Sequence, residues 1–543
     1  MRTPIAALAA FLAAAPCVAR PDEPPCTPGG VIEINGLGSP EDDLARVAEL
    51  TGSVEPHSRL IRRGGSSDEV VCAGADFPWP PFATPRAGPD DAARRGPTVR
   101  ALPLRLASVW NWNYPSGDND GLLWAGRGLS QLLAAGGEAR WGPFSAALAP
   151  EVTWSENRAF ELVPNGHTGT LRFANAFYPG AIDLPQRFGA GPFATWGPGQ
   201  SYLRVDAWNV GAGISTENRW FGPGVRNAII MSNAGPGFPH VFLGTSRPAD
   251  IVVGKAEALV FWGRLERTRF VANGGHPLIN GLVLTYEPKW IPGLSLGGAR
   301  VFVQRWKDLT WREWLSVFQT LEKKGLTSEY GPTGDNPFDN QIASLFGRWV
   351  FPESGLEIYF EWAREDYNWS WWSTIREPDW SQGYLVGLQK IFRAGTRVVR
   401  FGLELTDLQE LAGLGSARGV PVYYVHGGDL DYTNRGQLLG AWIGPGADSQ
   451  TFAVDVFHRG GRIGGYLERV RRNDAYYWEV IERTQGSFSH DAEVALGLRQ
   501  ALSVGRLEIS WDASAAYRQN RDFLKHEPNL KLGVTVSLPL TRS

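Results

Sequence analysis

From about Arg100 to the last residues the hydrophobic period is two. Leu356, Ile358, Phe360 and Trp362 alternate with Glu357, Tyr359 and Glu361, and Val399, Phe401, Leu403 and Leu405 alternate with Arg400, Gly402 and Glu404. Leu507, Ile509 and Trp511 continue the pattern, and Leu530, Leu532, Val534, Val536 and Leu538 carry it to the C-terminal end. Successive strand side chains point to opposite faces, so each segment has one apolar and one charged or small face, as antiparallel strands do. The alternation alone fits two solvents: a soluble sandwich with charges outside, or a membrane barrel with charges inside.

Length and composition favour the barrel. Spread over residues 100–543, about 18 strands leave roughly 25 residues each, which suits membrane strands of about 10 residues joined by alternating short turns and long loops. A propeller or β-helix would show a sequence repeat every ~20–50 residues, and none is found. The 23 Trp include Trp110, Trp112, Trp262, Trp306, Trp349, Trp380 and Trp478 near strand ends, where membrane interfaces favour them and where core packing is the competing explanation. A net charge of −3 offers no basic field for nucleic acid. After the N-terminal leader, no apolar run reaches the ~18 residues of a membrane helix.

That leader is Met1-Arg2, an apolar stretch from Pro4 to Ala15, and the small-residue site Cys17-Val18-Ala19, which reads as a secretory signal peptide over residues 1–19. Residues 20–99 form a separate region, a small helical subdomain followed by a Pro-rich linker. Ser39-Pro40-Glu41-Asp42-Asp43 predicts a helix start, Leu44, Val47, Ala48 and Leu50 follow at helical spacing, and Gly52 stops it. A second short helix is expected over Ser58 to Arg63. Cys26 and Cys72 survive processing and meet an oxidising compartment, which leaves two readings, a Cys26–Cys72 disulfide or two free thiols.

No HExxH, GxSxG, GxxxxGK[ST] or GxGxxG motif is placed to act, and the eight His are scattered. Glu361 and Glu365 form a carboxylate pair, but on an alternating strand they are expected to line a lumen rather than hydrolyse a glycoside. The expectation is therefore a non-enzyme without cofactor or metal.

Two loops are chemically distinctive. Glu217 to Gly224 leads into Val225-Arg226-Asn227 and then Met231 to His240, mixing Gly and Pro turns with amides, one Arg and large aromatics. A sugar needs an aromatic ring against its C–H face and planar polar groups for its hydroxyls, and Arg226 could pair with a uronate. The same residues also suit an ordered, purely structural fold of turns. In Asn368-Trp369-Ser370-Trp371-Trp372, packing into the barrel mouth ranks ahead of a saccharide platform or an interface belt.

At these residues the chain resembles the Wzi family of outer-membrane capsule assembly proteins. The matching segments are Ile214 to Gly224, Arg226-Asn227, Met231 to Pro239, His426 to Gln437 and Leu439 to Gly446, and the helix signal at Ser39–Gly52 is similar to the family's N-terminal helical part. The resemblance implies an all-β fold, an 18-stranded transmembrane antiparallel barrel over residues 100–543 with a small helical bundle at its periplasmic end. It also implies a lectin that attaches exported capsular or other surface polysaccharide to the cell surface without turnover. The chain departs from many outer-membrane barrels in ending Leu538-Pro539-Leu540-Thr541-Arg542-Ser543, without a terminal aromatic.

The expected polysaccharide-binding residues are Trp220, Arg226, Asn227, Asn233, His240, Tyr432, Asn434 and Arg435. The expected partners are the polysaccharide, outer-membrane lipid and export machinery, with a monomeric barrel. The competing reading is a saccharide channel or export component whose conducting lumen is lined by Glu357, Glu361 and Arg400. A secreted hydrolase ranks third.

Overall fold

The alternating segments join into one closed sheet in the computed structural model, which describes residues 31–33, 37–64, 70–72, 83–84, 97–271, 275–306, 313–318, 339–365, 371–376, 380–409, 422–427, 430–485 and 489–540. In chain order the staves are β1 (Thr98–Asn111), β2 (Gly128–Trp141), β3 (Phe144–Leu148 and Glu151–Ser155), β4 (Phe193–Gly197 and Tyr202–Ala207), β5 (Val210–Ser215) and β6 (His240–Thr245 and Ala249–Ile251). Next come β7 (Gly254–Arg264), β8 (Leu278–Pro288), β9 (Leu294–Gln304), β10 (Asp339–Phe351), β11 (Leu356–Glu365) and β12 (Gln382–Ala394). The ring is completed by β13 (Arg397–Asp407), β14 (Asp448–His458), β15 (Gly461–Arg472), β16 (Asp491–Val504), β17 (Leu507–Arg521) and β18 (Lys525–Leu538). Three staves are interrupted, so among the described residues the 21 strand segments of the sheet make an 18-stranded antiparallel barrel. Pairing of β18 with β1, from Lys531↔Asn111 to Leu538↔Leu104, closes it. Closure leaves no sheet edge and satisfies the backbone within the wall, the condition for crossing a bilayer with strands.

Burial decides between the two solvents. On β11 the apolar Ile358 and Phe360 are 43% and 45% exposed, while Glu357 and Glu361 between them are 0% and 1% exposed. β13 and β18 behave alike, with Leu405, Leu530 and Leu532 outward and Arg400 and Glu404 buried. A soluble sheet buries its apolar face and wets its charges, so this inversion requires an apolar medium around the wall. Trp141, Trp208 and Trp290 stand exposed at the short turns, and Trp112, Trp306 and Trp372 are exposed toward the opposite end, where the long connections lie.

The barrel is filled. Helix α1 (Pro40–Leu50) begins as the sequence predicts: the Ser39 hydroxyl accepts from the Asp42 amide at 3.2 Å, Pro40 opens the first turn, and Gly52 beyond the end adopts φ +68°. Leu44, Val47, Ala48 and Leu50 pack on Val350, Ile391, Val398, Phe457 and Ala501, which places α1 across the short-turn end of the lumen. Where a second helix was expected, the chain instead forms the strand Ile61–Arg63, paired with Arg219–Phe221. Its backbone polar groups are satisfied by a partner strand, and Arg59 before it has a φ of 45°, outside the helical region. The strands Val31–Glu33, Val70–Cys72 and Ala83–Thr84 form a separate small sheet, so α1 is the helix of the N-terminal region among the described residues. The signal segment and Cys26 lie outside the described residues, and so does a Cys26–Cys72 bridge.

Ion pairs tie α1 to the wall. Arg46 donates to Glu357 on β11 (Nε–Oε1 2.9 Å), and Arg348 on β10 reaches both Glu357 (2.7 Å) and Glu49 of the helix. Asp43 receives Arg400 of β13 and Arg462 of β15, while Asp42 receives Arg59 (2.7 Å) and Arg62 (3.0 Å). Burial pushes the Asp43 carboxyl up, but Arg400 and Arg462 outweigh it and hold the group at about 2. A depressed carboxylate contributes stability above its unfolded value and loses it as pH falls through the folded one. Docking of α1 through Asp43 should therefore persist from neutral pH to pH ~4 and weaken toward pH ~2. Arg348→Ala strands Glu49 and Glu357 without their shared cation and should cost about 3–5 kcal/mol of docking. The check is limited proteolysis of residues 40–50, with cutting expected in the variant while the barrel keeps its heat-dependent gel mobility.

Candidate functional site

The side chains that organise the interior sit on β11. Inward positions Glu357, Glu361 and Glu365 are spaced four residues apart on one face, and each holds a different inserted element. Glu357 holds α1 through Arg46; Glu361 accepts the Ile229 amide (3.0 Å) of the loop 216–239; Glu365 accepts the Tyr424 amide (2.8 Å) of the segment 422–447. The carboxylates Glu361 and Glu365 thus line the lumen, as their alternation implies. Neighbouring Glu404 on β13 caps the turn that follows: it accepts the amides of Val225 (2.7 Å), Arg226 (3.1 Å) and Asn227 (2.8 Å), and the Tyr359 hydroxyl (3.0 Å).

Glycine lets the inserted loop follow this path. Gly222 takes φ +97° beside Glu361, and a Cβ on Gly237 would stand 2.1 Å from the Thr216 carbonyl oxygen. The loop then packs Phe221, Ile229, Ile230 and Met231 against wall residues including Phe261 and Phe346. From the other segment, Tyr424 donates its hydroxyl to the Ile229 carbonyl (2.7 Å) and accepts from the Ala441 amide (3.0 Å), joining the two insertions.

The expected polysaccharide-binding residues all fall within these insertions or where they meet the wall, and most are buried. Trp220 is 3% exposed, with the Arg62 guanidinium 4.8 Å from its ring centroid. Arg226 makes a forked pair with Glu468 (2.9 and 3.1 Å) and lies 5.6 and 5.4 Å from the rings of Trp442 and Tyr466. Asn227 and Asn434 are buried, and Asn434 donates to the Pro236 carbonyl (3.1 Å) and accepts from the Glu266 amide (3.0 Å). Asn233 donates to the Asn119 carbonyl (2.9 Å). His240 is buried at the start of β6, with Nδ1 2.8 Å from the Phe238 carbonyl. Tyr432 is stacked on Tyr424 at 5.7 Å, and Arg435, with its backbone at φ 52°, donates to the Trp196 carbonyl (3.1 Å) and Thr195 hydroxyl (2.8 Å). The motifs are thus one connected structure joining loop to wall, and Arg226, Asn233 and Arg435 are its half-buried members.

Glu357, Glu361 and Arg400, the residues expected to line a conducting lumen, do face inward, but each is engaged by an inserted element or the wall. Of the Trp cluster, the side chain of Trp372 alone is among the described residues. Residues 366–370 lie outside the described set, and Trp372, in the short helix Trp371–Arg376, is 70% exposed rather than packed into the mouth. Beside Trp478, the adjacent Tyr476 and Tyr477 complete a run of three aromatics shortly after β15, at the long-loop end.

Comparison with known proteins is consistent with this architecture. Across the solved structures, the chain is similar to Wzi of Escherichia coli, described as an outer membrane protein involved in group 1 capsule assembly and a carbohydrate-binding β-barrel. The match has a TM-score of 0.57 at 14% identity, covering 94% of this chain and 100% of that one. A weaker likeness is to OccAB2 of Acinetobacter baumannii, with a TM-score of 0.42 at 12% identity over 82% of this chain and 98% of that one. No curated protein sequence matches significantly. The family model for capsule assembly protein Wzi matches residues 127–521. With that match spanning most of its length, the chain belongs to the Wzi capsule assembly protein family and is an outer-membrane β-barrel.

Proposed function

We propose that this barrel binds exported capsular or other surface polysaccharide and anchors it to the outer membrane without chemical turnover. The observation that carries the reading is the filled lumen: α1 and two inserted segments occupy the interior, and the wall carboxylates that could select a permeant are spent holding them. In outer-membrane barrels short turns face the periplasm and long loops the exterior. The working surface is then the long-loop end, supported from beneath by the inserted segments. The solved Escherichia coli relative is described as carbohydrate-binding, which agrees with this reading. A repeating polymer touching such a surface at many points is retained by effective concentration even when each contact is weak.

Trp220, Arg226, Asn227, Asn233, His240, Tyr432, Asn434 and Arg435 take part in this function chiefly as the framework of that surface. The reading extends to residues 1–19 as an export signal and to a monomeric barrel that receives polymer from export machinery.

In a strain lacking the protein, polymer of normal length should move from the cells to the medium, measured as the ratio of cell-attached to shed polysaccharide. An unchanged ratio would remove the anchoring role. Arg226→Ala should leave Glu468 buried without its cation, cost about 3–5 kcal/mol of loop stability, and reduce retention at equal barrel abundance. Arg226→Lys, which loses the fork but keeps the charge, should fall between the two. Retention unaffected by Arg226→Ala would show that the inserted loop does not support binding.

A further inference from the structure

Inside the barrel the guanidinium groups have carboxylates: Arg226 has Glu468, Arg348 has Glu49 and Glu357, and Arg400 has Asp43 and Asp455. The long-loop end differs. Arg172, on the β3–β4 connection, and Arg269, on the β7–β8 connection, are exposed, and neither has a carboxylate partner among the described residues. Each is laid on a ring, Arg172 at 4.6 Å from the Phe173 centroid and Arg269 at 5.3 Å from that of Phe270. Phe173 and Phe270 are buried and meet edge to face at 6.0 Å, and Phe188 stands edge-on to Phe270 at 5.9 Å. Two connections thus build one ring platform, and it carries both cations on the same patch of surface.

A third cation lies beneath. Arg187 is buried, and its N–H groups go to neutral oxygens: the Asn157 carbonyl (2.5 Å), the Asn157 side-chain oxygen (3.3 Å) and the Ala190 carbonyl (2.9 Å). Burial and the neighbouring Arg172 charge hold its pKa below the ordinary guanidinium value. The acids of the same two connections are engaged elsewhere. Glu156 pairs with Arg158 (2.5 Å), Glu161 with Lys525 (3.1 Å) and Glu266 with Arg435 (3.6 Å), while Asp183 is buried and accepts from the Thr268 amide (2.6 Å).

Like charges gathered without a counterion repel, and a bound anion relieves that repulsion. Stacking on a ring fixes the plane of a guanidinium while leaving its N–H edge to solvent, and that edge forks to a carboxylate or phosphate. A neutral sugar offers no charge to match the patch. A polyanion crossing the long-loop surface does, and it meets cations already held in place, so little freedom is lost on contact.

We propose that Arg172 and Arg269, stacked on Phe173 and Phe270, form a subsite for carboxylate or phosphate groups of an anionic surface polysaccharide. The subsite rests on the anchoring reading above and adds to it the contact residues and the charge of the polymer they select.

The test measures binding of purified full-length protein in detergent to immobilised polysaccharide prepared from the producing strain, and in parallel to vesicles containing phosphatidylglycerol. Arg172→Gln/Arg269→Gln should weaken polymer binding at least about ten-fold. Arg158→Gln, on the same connection but with its charge taken by Glu156, should bind nearly as the parent does. Arg172→Gln alone should give a smaller loss, and it serves if the double variant lacks the heat-dependent gel mobility of a folded barrel. Parental binding should weaken several-fold between about 0.05 and about 0.5 M salt, and the double variant should lose most of that dependence. If the parent binds and the double variant binds equally, the subsite is wrong and the anchoring reading stands. Parental binding indifferent to salt would also overturn the subsite. A loss confined to the vesicles would overturn it too, because the arginines would then serve lipid headgroups. If the parent does not bind the polymer, both fall.

Discussion

The row of carboxylates on β11 is the interaction on which the rest of the structure depends. Glu357, Glu361 and Glu365 face the same lumen and meet, in order from the short-turn end, α1, the loop carrying Ile229 and the segment carrying Tyr424. Removing an ionised group from water is costly unless other groups replace its hydration. Here the inserted elements supply much of the replacement: Arg46 joins the wall's own Arg348 at Glu357, and backbone amides serve the other two. Satisfying the wall and filling the lumen are therefore one event. A barrel of this circumference without its insertions would leave the same carboxylates to water, as an aqueous pore does.

The outer face depends on the opposite bargain. Ile358 and Phe360 are exposed because lipid, not protein, covers them, and the strand that carries the carboxylates inward necessarily carries these side chains outward. A one-residue slip of β11 would put charges into lipid and rings into the polar interior, so both solvents enforce the same register. The aromatic rings at the long-loop end obey neither rule. Phe177, Tyr476 and Phe523 are gathered by connections rather than staves and are neither outward-facing nor part of the central core.

Much of this was legible in the sequence, and the reasons differ by element. Period-two alternation through β11, β13 and β18 marks the strands because one stave needs two unlike faces. The start of α1 was readable because Ser39, Pro40 and three acids act locally. The strand Ile61–Arg63 was not, because its partner Arg219–Phe221 lies far along the chain and long-range pairing overrides local preference. The site residues were half legible. The motif around Trp220, Arg226 and Asn434 is distinctive because a loop threaded through a barrel must satisfy every amide and avoid every Cβ clash. That demand produces the same Gly, Asn and Arg content a sugar site would, and composition alone does not separate them.

The molecule thus divides into a filled, ion-paired interior that closes the barrel and an outer loop surface proposed to meet polymer. The central claim is the closure, and the most direct measurement is single-channel recording of the purified protein in a planar bilayer at neutral pH. A filled lumen predicts electrical silence from the parent protein, with conductance appearing once Arg348→Ala loosens α1 and Arg226→Ala loosens the inserted loop. Steady open conductance from the parent protein would contradict the account and make the barrel a channel.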